Sequence, residues 1–351
     1  MKKGYLVLED GQTFEGLRFG SESCSIGELV FTTSAGGYLE TLTDPGYAGQ
    51  IVMQTYPLIG NYGVIHEDLE GDCRLKGYVV RELCETPSNF RSEGELETFL
   101  TEQGVSGICG VDTRELTRIL REHGTMNAMI CDEVPADLTE VRAYKVCEKI
   151  TDKPVETVPA EGEEKFRVTL VDYGTKRSLI EILAKQGCTV TVVSGNTSAE
   201  EILSGKPDGV LLSNGAGNPM DYMAQVEEVR KLMGKVPVFG VGLSHQFCAL
   251  AQGGRTFRMK HGRHGANQPV RDLKGTRTYI TGANHNYAVD ADSVKTGEIR
   301  YKNINDDTCE GMDYPSLRAI TIQFQPEGCT DVNGNYIFLN RFFDLMKGGN
   351  L

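Results

Sequence analysis

The chain has 351 residues, 39% of them apolar, which is enough to bury a sizeable core and long enough to favour two domains over one. Its 36 Lys and Arg face 49 Asp and Glu, a formal charge of −13, and no basic block could follow a phosphate backbone, which argues against nucleic-acid binding. No apolar run approaches the ~20 residues of a membrane span. The opening Met1-Lys-Lys-Gly-Tyr-Leu-Val-Leu-Glu-Asp10 is charged again too soon for a signal peptide, so a cytoplasmic protein is expected.

In chain order, the first predicted element is the alternating strand Tyr5-Leu-Val-Leu-Glu9, closed by a turn at Asp10-Gly11. Short β-like runs follow at Glu28-Leu-Val-Phe-Thr32 and Gln50-Ile-Val-Met-Gln54. Thr113–His123 reads as a helix, with Leu116, Ile119 and Leu120 on one face and Gly124 as its stop. The polar stretch 151–165 holds two prolines and has no sustained apolar period. It reads as a linker, dividing a domain at 1–150 from one at 166–351.

Beyond it, strands and helices alternate. Strands are predicted at Val168–Asp172, Thr189–Val193, Gly209–Ser213 and Val236–Val241, with helices at Lys176–Gln186, Glu200–Ser204 and Met220–Met233. Such alternation implies right-handed crossovers and a doubly wound parallel sheet covered on both faces, an α/β fold. Ligand sites in such sheets collect at the carboxyl ends of the strands. Ten cysteines are scattered without a C-x-x-C pair, a pattern of reduced, mostly buried thiols rather than disulfides or a metal site.

Two strand ends stand out. Ser213-Asn-Gly-Ala-Gly-Asn-Pro219 carries glycines whose backbone N–H groups could approach a ligand or a developing oxyanion, though a plain glycine-rich turn reads equally well. Val236-Pro-Val-Phe-Gly-Val-Gly242-Leu-Ser-His-Gln246 places a tight turn between a strand and a helix that ends at Gly253-Gly254. That geometry exposes a nucleophile and aims helix N–H groups at it, but the elbow residue here, Gly242, has no side chain.

Together these segments resemble the small, glutamine-hydrolysing subunit of carbamoyl phosphate synthetase, a class I glutamine amidotransferase, along nearly the whole chain. The matching stretches in the first half are Leu8-Glu-Asp-Gly, Leu42-Thr-Asp-Pro45, Gln50-Ile-Val, Thr55-Tyr-Pro-Leu-Ile-Gly-Asn61 and Val111-Asp-Thr-Arg-Glu-Leu-Thr-Arg118. In the second half they are Asp172-Tyr-Gly-Thr-Lys-Arg177, Ser213-Asn-Gly, Leu243 with His245-Gln246, Asn284-His285 and Pro326-Glu327. The resemblance implies a mixed α/β small-subunit domain followed by an amidotransferase domain. It also implies a catalytic cysteine at 242, a histidine at 325 and a glutamate at 327 acting as nucleophile, base and orienter.

Only Glu327 is present, since Gly242 and Gln325 occupy the other two places. No local substitute is apparent. Cys248 lies six residues past the elbow, roughly 9 Å along a helix axis, and Ser244 would need a base that the amide of Gln325 cannot supply. The family's glutamine pocket maps onto Gly46, Gly215, Gly217, Leu243, Gln246, Asn284, Asn286 and Tyr287. Of these, Gly46 stands where serine is usual and Asn286 where a small residue is usual, while Ala216 and Ser244 also depart from the pattern. Several correlated losses point to divergence after the activity was no longer needed.

The expectation is a non-hydrolysing partner of a large synthetase subunit, which would make carbamoyl phosphate from ammonia, bicarbonate and ATP for pyrimidine or arginine biosynthesis. ATP and the divalent metal would belong to that large subunit, with no cofactor in this chain. One alternative is a sensor of glutamine or a related amide, or a scaffold without catalysis. The other is a glutaminase or different amidotransferase with a relocated nucleophile.

Overall fold

Apolar residues at every second position set the first sheet. In the computed structural model, which describes residues 2–146, 150, 154–331 and 334–349, nine strands form in the first part of the chain. They are β1 (Lys2–Leu8), β2 (Thr13–Gly20), β3 (Ser25–Thr32), β4 (Gln50–Gln54), β5 (Leu58–Ile59), β6 (Gly77–Val79), β7 (Glu82–Leu83), β8 (Ser106–Cys109) and β9 (Met126–Cys131). Helices α1 (Tyr38–Thr43), α2 (Leu96–Glu102), α3 (Thr113–His123) and α4 (Thr139–Ala143) connect or cover them.

Seven of these strands close into a barrel in the order β1-β2-β8-β6-β4-β3-β9, with β9 returning to β1 in an antiparallel pairing that joins Tyr5 to Cys131 and Leu8 to Ala128. Closure leaves the barrel without an open edge. The pleat then sorts side chains to two faces. Leu6 and Leu8, Leu29 and Phe31, Ile51 and Met53, and Ala128 and Ile130 share one core with Leu116, Ile119 and Leu120 of α3. Val30, Val52 and Tyr78 point the other way into a second core. α3 starts where Asp112 accepts from the N–H groups of Arg114 and Glu115 at 3.1 and 3.0 Å, and it stops at Gly124, as its sequence predicts.

The chain divides into two compact units: residues up to 146 with Lys260–Gly265, and the remaining described residues from 150 onward. In the second unit the strands are β10 (Glu156–Val158), β11 (Phe166–Asp172), β12 (Cys188–Ser194), β13 (Gly209–Leu212), β14 (Val238–Val241), β15 (Arg255–Asp272), β16 (Thr278–Asp290), β17 (Glu298–Asn303), β18 (Cys309–Tyr314) and β19 (Ala319–Ile322). Its helices are α5 (Arg177–Lys185), α6 (Ala199–Ser204), α7 (Met223–Leu232), α8 (Leu243–Ala251) and α9 (Ile337–Met346).

One ten-stranded sheet runs β10-β12-β11-β13-β14-β19-β18-β16-β15-β17. Its centre, β12-β11-β13-β14-β19, is parallel, and an antiparallel flank continues from β18. The parallel strands are buried on both faces. Val171, Val210, Leu212 and Val238 pack with α6, α7 and α8, whereas Val168, Leu170, Leu211 and Phe239 pack with α5 and α9. This is the doubly wound arrangement read from the sequence.

Two details differ from that reading. Thr151, Asp152 and Lys153 of the segment read as a linker lie outside the described residues, but Glu156–Val158 pairs antiparallel with Val190–Val192 and extends the sheet. Its short alternation was masked by the flanking prolines and charges. The helix expected from Met220 begins at Met223, because Asn218 accepts from the Met220 N–H at 3.1 Å and Pro219 opens a 3₁₀ turn first.

Candidate functional site

The carboxyl ends of β13, β14 and β19 converge on the start of α8. The nine residues of α8 are all buried, among them the polar Ser244, His245 and Gln246. Burying three polar side chains in one helical turn requires a partner for each. Ser244 Oγ donates to the Ser213 carbonyl at 2.6 Å. His245 Nδ1 lies 2.8 Å from Thr321 Oγ1, and Gln246 Nε2 donates to the Tyr287 carbonyl and to Gln323 Oε1, both at 2.9 Å.

At the elbow itself Gly242 has φ 59° and ψ −114°, a conformation that residues with a Cβ adopt only under strain. Its N–H donates to the Ile322 carbonyl at 2.8 Å, which ties the turn to the end of β19. A Cβ at Gly242 would come within 2.5 Å of Asn214 Cγ and 3.0 Å of Asn214 Cβ. Asn214 Oδ1 in turn accepts from the Leu243 N–H at 2.9 Å, satisfying one of the N–H groups that a helix start leaves unpaired. The loop after β13 is held by Ser213, whose Oγ accepts from the Tyr173 N–H at 2.9 Å.

The remaining candidate residues distribute as follows. Gly215 sits against this corner: a Cβ there would lie 2.7 Å from the Tyr173 carbonyl oxygen and 2.9 Å from Leu243 Cδ2, so only glycine permits the approach. Gly217 follows with φ 98°. Asn284, Asn286 and Tyr287 all lie on β16, the two asparagines buried and Tyr287 half-buried, and Tyr287 meets Gln246 through its carbonyl. Gln325 lies beyond β19 and bridges to Gly282 of β16, its N–H donating to the Gly282 carbonyl at 2.8 Å. Glu327 is near enough to Cys329 to help burial raise that thiol to about 12. Gly46 belongs to the other unit, in the 3₁₀ turn Pro45–Tyr47, where its N–H donates to Asp44 Oδ1 at 2.8 Å.

Burial keeps the two titratable groups of α8 neutral. Burial alone pulls His245 down to about 3, so its ring is neutral near pH 7. Burial pushes the Cys248 thiol up to about 12, so it is not a thiolate there. Among the described residues no group of three or more His, Cys, Asp or Glu could hold a metal ion, and no helix is long and apolar enough to cross a membrane. The nine described cysteines are free.

Asn214 is the residue that reading the sequence passed over. It sits inside the noted Ser213-Asn-Gly run, but attention falls there on the glycines. The available signal was a carboxamide directly after a strand whose neighbour ends in an empty elbow.

Comparison with known proteins identifies this framework. The family model described as carbamoyl-phosphate synthase small chain, CPSase domain, matches residues 6–130, and that described as glutamine amidotransferase class-I matches residues 169–345. Among similar proteins is a carbamoyl phosphate synthase small chain from Oceanobacillus iheyensis, 42% identical over 99% of this chain and 97% of its own length. One of the same name from Archaeoglobus fulgidus is 43% identical over 98% of this chain and 99% of its own. Another, from Listeria monocytogenes, is 45% identical over 99% and 98%. With this similarity running from end to end, the chain belongs to the carbamoyl phosphate synthase small-chain family.

Proposed function

We propose that this chain is a small-chain homologue without glutaminase activity that serves as the non-hydrolysing partner of a large synthetase subunit. The observation that carries the reading is the elbow between β14 and α8. Gly242 keeps the positive φ of a nucleophile position yet offers no nucleophile. Triad chemistry needs a nucleophile, a base within hydrogen-bond reach and a group to orient the base. Gln325, a neutral amide, stands in the base position beside the retained Glu327.

A relocated nucleophile is poorly supported. Ser244 Oγ is fully buried and donates to a backbone carbonyl, and the Cys248 thiol is buried and protonated near neutrality. His245, in the same helical turn, is a poor base, since burial holds its pKa down at about 3.

In this reading the large subunit supplies the ATP and metal chemistry and takes ammonia directly. The small chain contributes a folded partner whose candidate amide-binding residues in the second unit are Gly215, Gly217, Leu243, Gln246, Asn284, Asn286 and Tyr287. Co-purification with the large subunit encoded by the same genome tests it. The account expects a stable complex that makes carbamoyl phosphate from ammonia and not from glutamine. Failure to bind that subunit would instead favour a free-standing sensor or scaffold.

A further inference from the structure

We propose that Asn214 closes this elbow from within, its side-chain carboxamide occupying the place of a nucleophile's side chain and taking the first N–H of α8. The inference rests on reading Gly242 as a vacated nucleophile position. Two features of the geometry carry it. A Cβ on Gly242 would overlap the Asn214 side chain, reaching 2.5 Å from Cγ, so no residue larger than glycine fits while Asn214 keeps its conformation. Separately, Asn214 Oδ1 accepts from the Leu243 N–H at 2.9 Å.

The chemistry is self-consistent. A carboxamide is also the reacting group of glutamine, so this chain presents its own amide oxygen to the helix N–H that faces the elbow. An exogenous amide would have to displace an intramolecular partner that loses little entropy on binding, since it is already part of the fold. Leu243 is buried, so removing Asn214 without replacement leaves an N–H that pays a desolvation penalty. The corner is therefore closed by a side chain that is stabilised where it stands. Restoring a thiol at 242 then requires Asn214 to move as well.

The test is a double-mutant cycle read as urea midpoints of the unmodified full chain, Gly242→Ala, Asn214→Gly and the pair. The proposal expects the midpoint lost on Gly242→Ala to fall by about half or more when Asn214→Gly is present, because only backbone strain then remains. Equal losses in both backgrounds would overturn it. If Gly242→Ala folds only in the Asn214→Gly background, the coupling is shown directly. If it folds in neither, hydrogen exchange at the Leu243 amide decides: Asn214→Gly should speed it about tenfold, the loss of one hydrogen bond, and an unchanged rate would overturn the proposal. None of these readouts uses glutamine turnover. Detection of glutaminase activity would sink the proposed function and leave this contact standing, whereas an additive cycle would do the reverse.

Discussion

The elbow at Gly242 and the segment from Gln325 to Glu327 hang from neighbouring parallel strands, joined by the Gly242 N–H to Ile322 carbonyl bond, yet they are built in different ways. At the elbow a positive-φ glycine precedes a buried helix, and the Asn214 side chain lies where a Cβ would sit. At the other end a side chain remains, but it is an amide on a segment pinned to Gly282 through a β-bridge, with the carboxylate of Glu327 two residues on. On the proposed reading, backbone geometry outlasts the chemistry. The frame is held by sheet pairing and helix burial that do not depend on the reacting groups.

The comparison breaks most visibly under reversal. An intact triad of this kind supplies on the order of 10⁶ in kcat. Gly242→Cys alone should recover none of it, because the thiol would lack a base and the departing amine a proton donor. Gln325→His alone should also recover none. The pair should show a trace, and more once Asn286→Gly relieves the site. Substantial hydrolysis by Gly242→Cys alone would mean that His245 or His285 already serves the elbow as a base.

Next in size is stability at the two corners. Gly242→Ala should cost about 3 kcal/mol, combining strain at positive φ with displacement of Asn214 and its hydrogen bond. Gly282→Ala should cost under about 1 kcal/mol, since the nearest atom its Cβ would meet is Gln325 Oε1 at 3.2 Å, the far end of a flexible chain. Denaturant midpoints of the two variants check this. Equal costs would mean that the elbow has been remodelled into an ordinary turn.

A third effect is a pH dependence rooted in α8. His245 is neutral when folded, with its pKa held at about 3, whereas in the unfolded chain it titrates near the usual ~6.5. Below that value the unfolded state binds the extra proton, so stability should fall as pH drops from about 6.5 towards 3, by up to about 1 kcal/mol per unit. Above it the histidine contributes no slope. His245→Gln should flatten this limb of the stability profile, and an unchanged slope would place the titrating group elsewhere.

How much was legible in the sequence depends on how local each signal is. α3 was read to the residue because the apolar face of Leu116, Ile119 and Leu120 and the stop at Gly124 lie within one short window. The strand, turn and helix around Gly242 were legible for the same reason. The barrel closure was not, because alternation in Leu6 and Leu8 states which faces are buried but not that β1 pairs with β9, more than a hundred residues away. The long β15 and β16 carry too many charged and polar residues for an apolar period to show. Asn214 was invisible for a related reason, since its part is defined by space left empty 28 residues later in the chain.

The most direct test of the account is release of glutamate from glutamine by the purified chain, alone and with the large subunit, alongside Ser244→Ala and Cys248→Ala variants. The account predicts no release above background in any of them, since neither Gly242 nor Gln325 supplies a nucleophile or a base. Release that persists through purification and falls with either variant would contradict it, and would place a working nucleophile within α8.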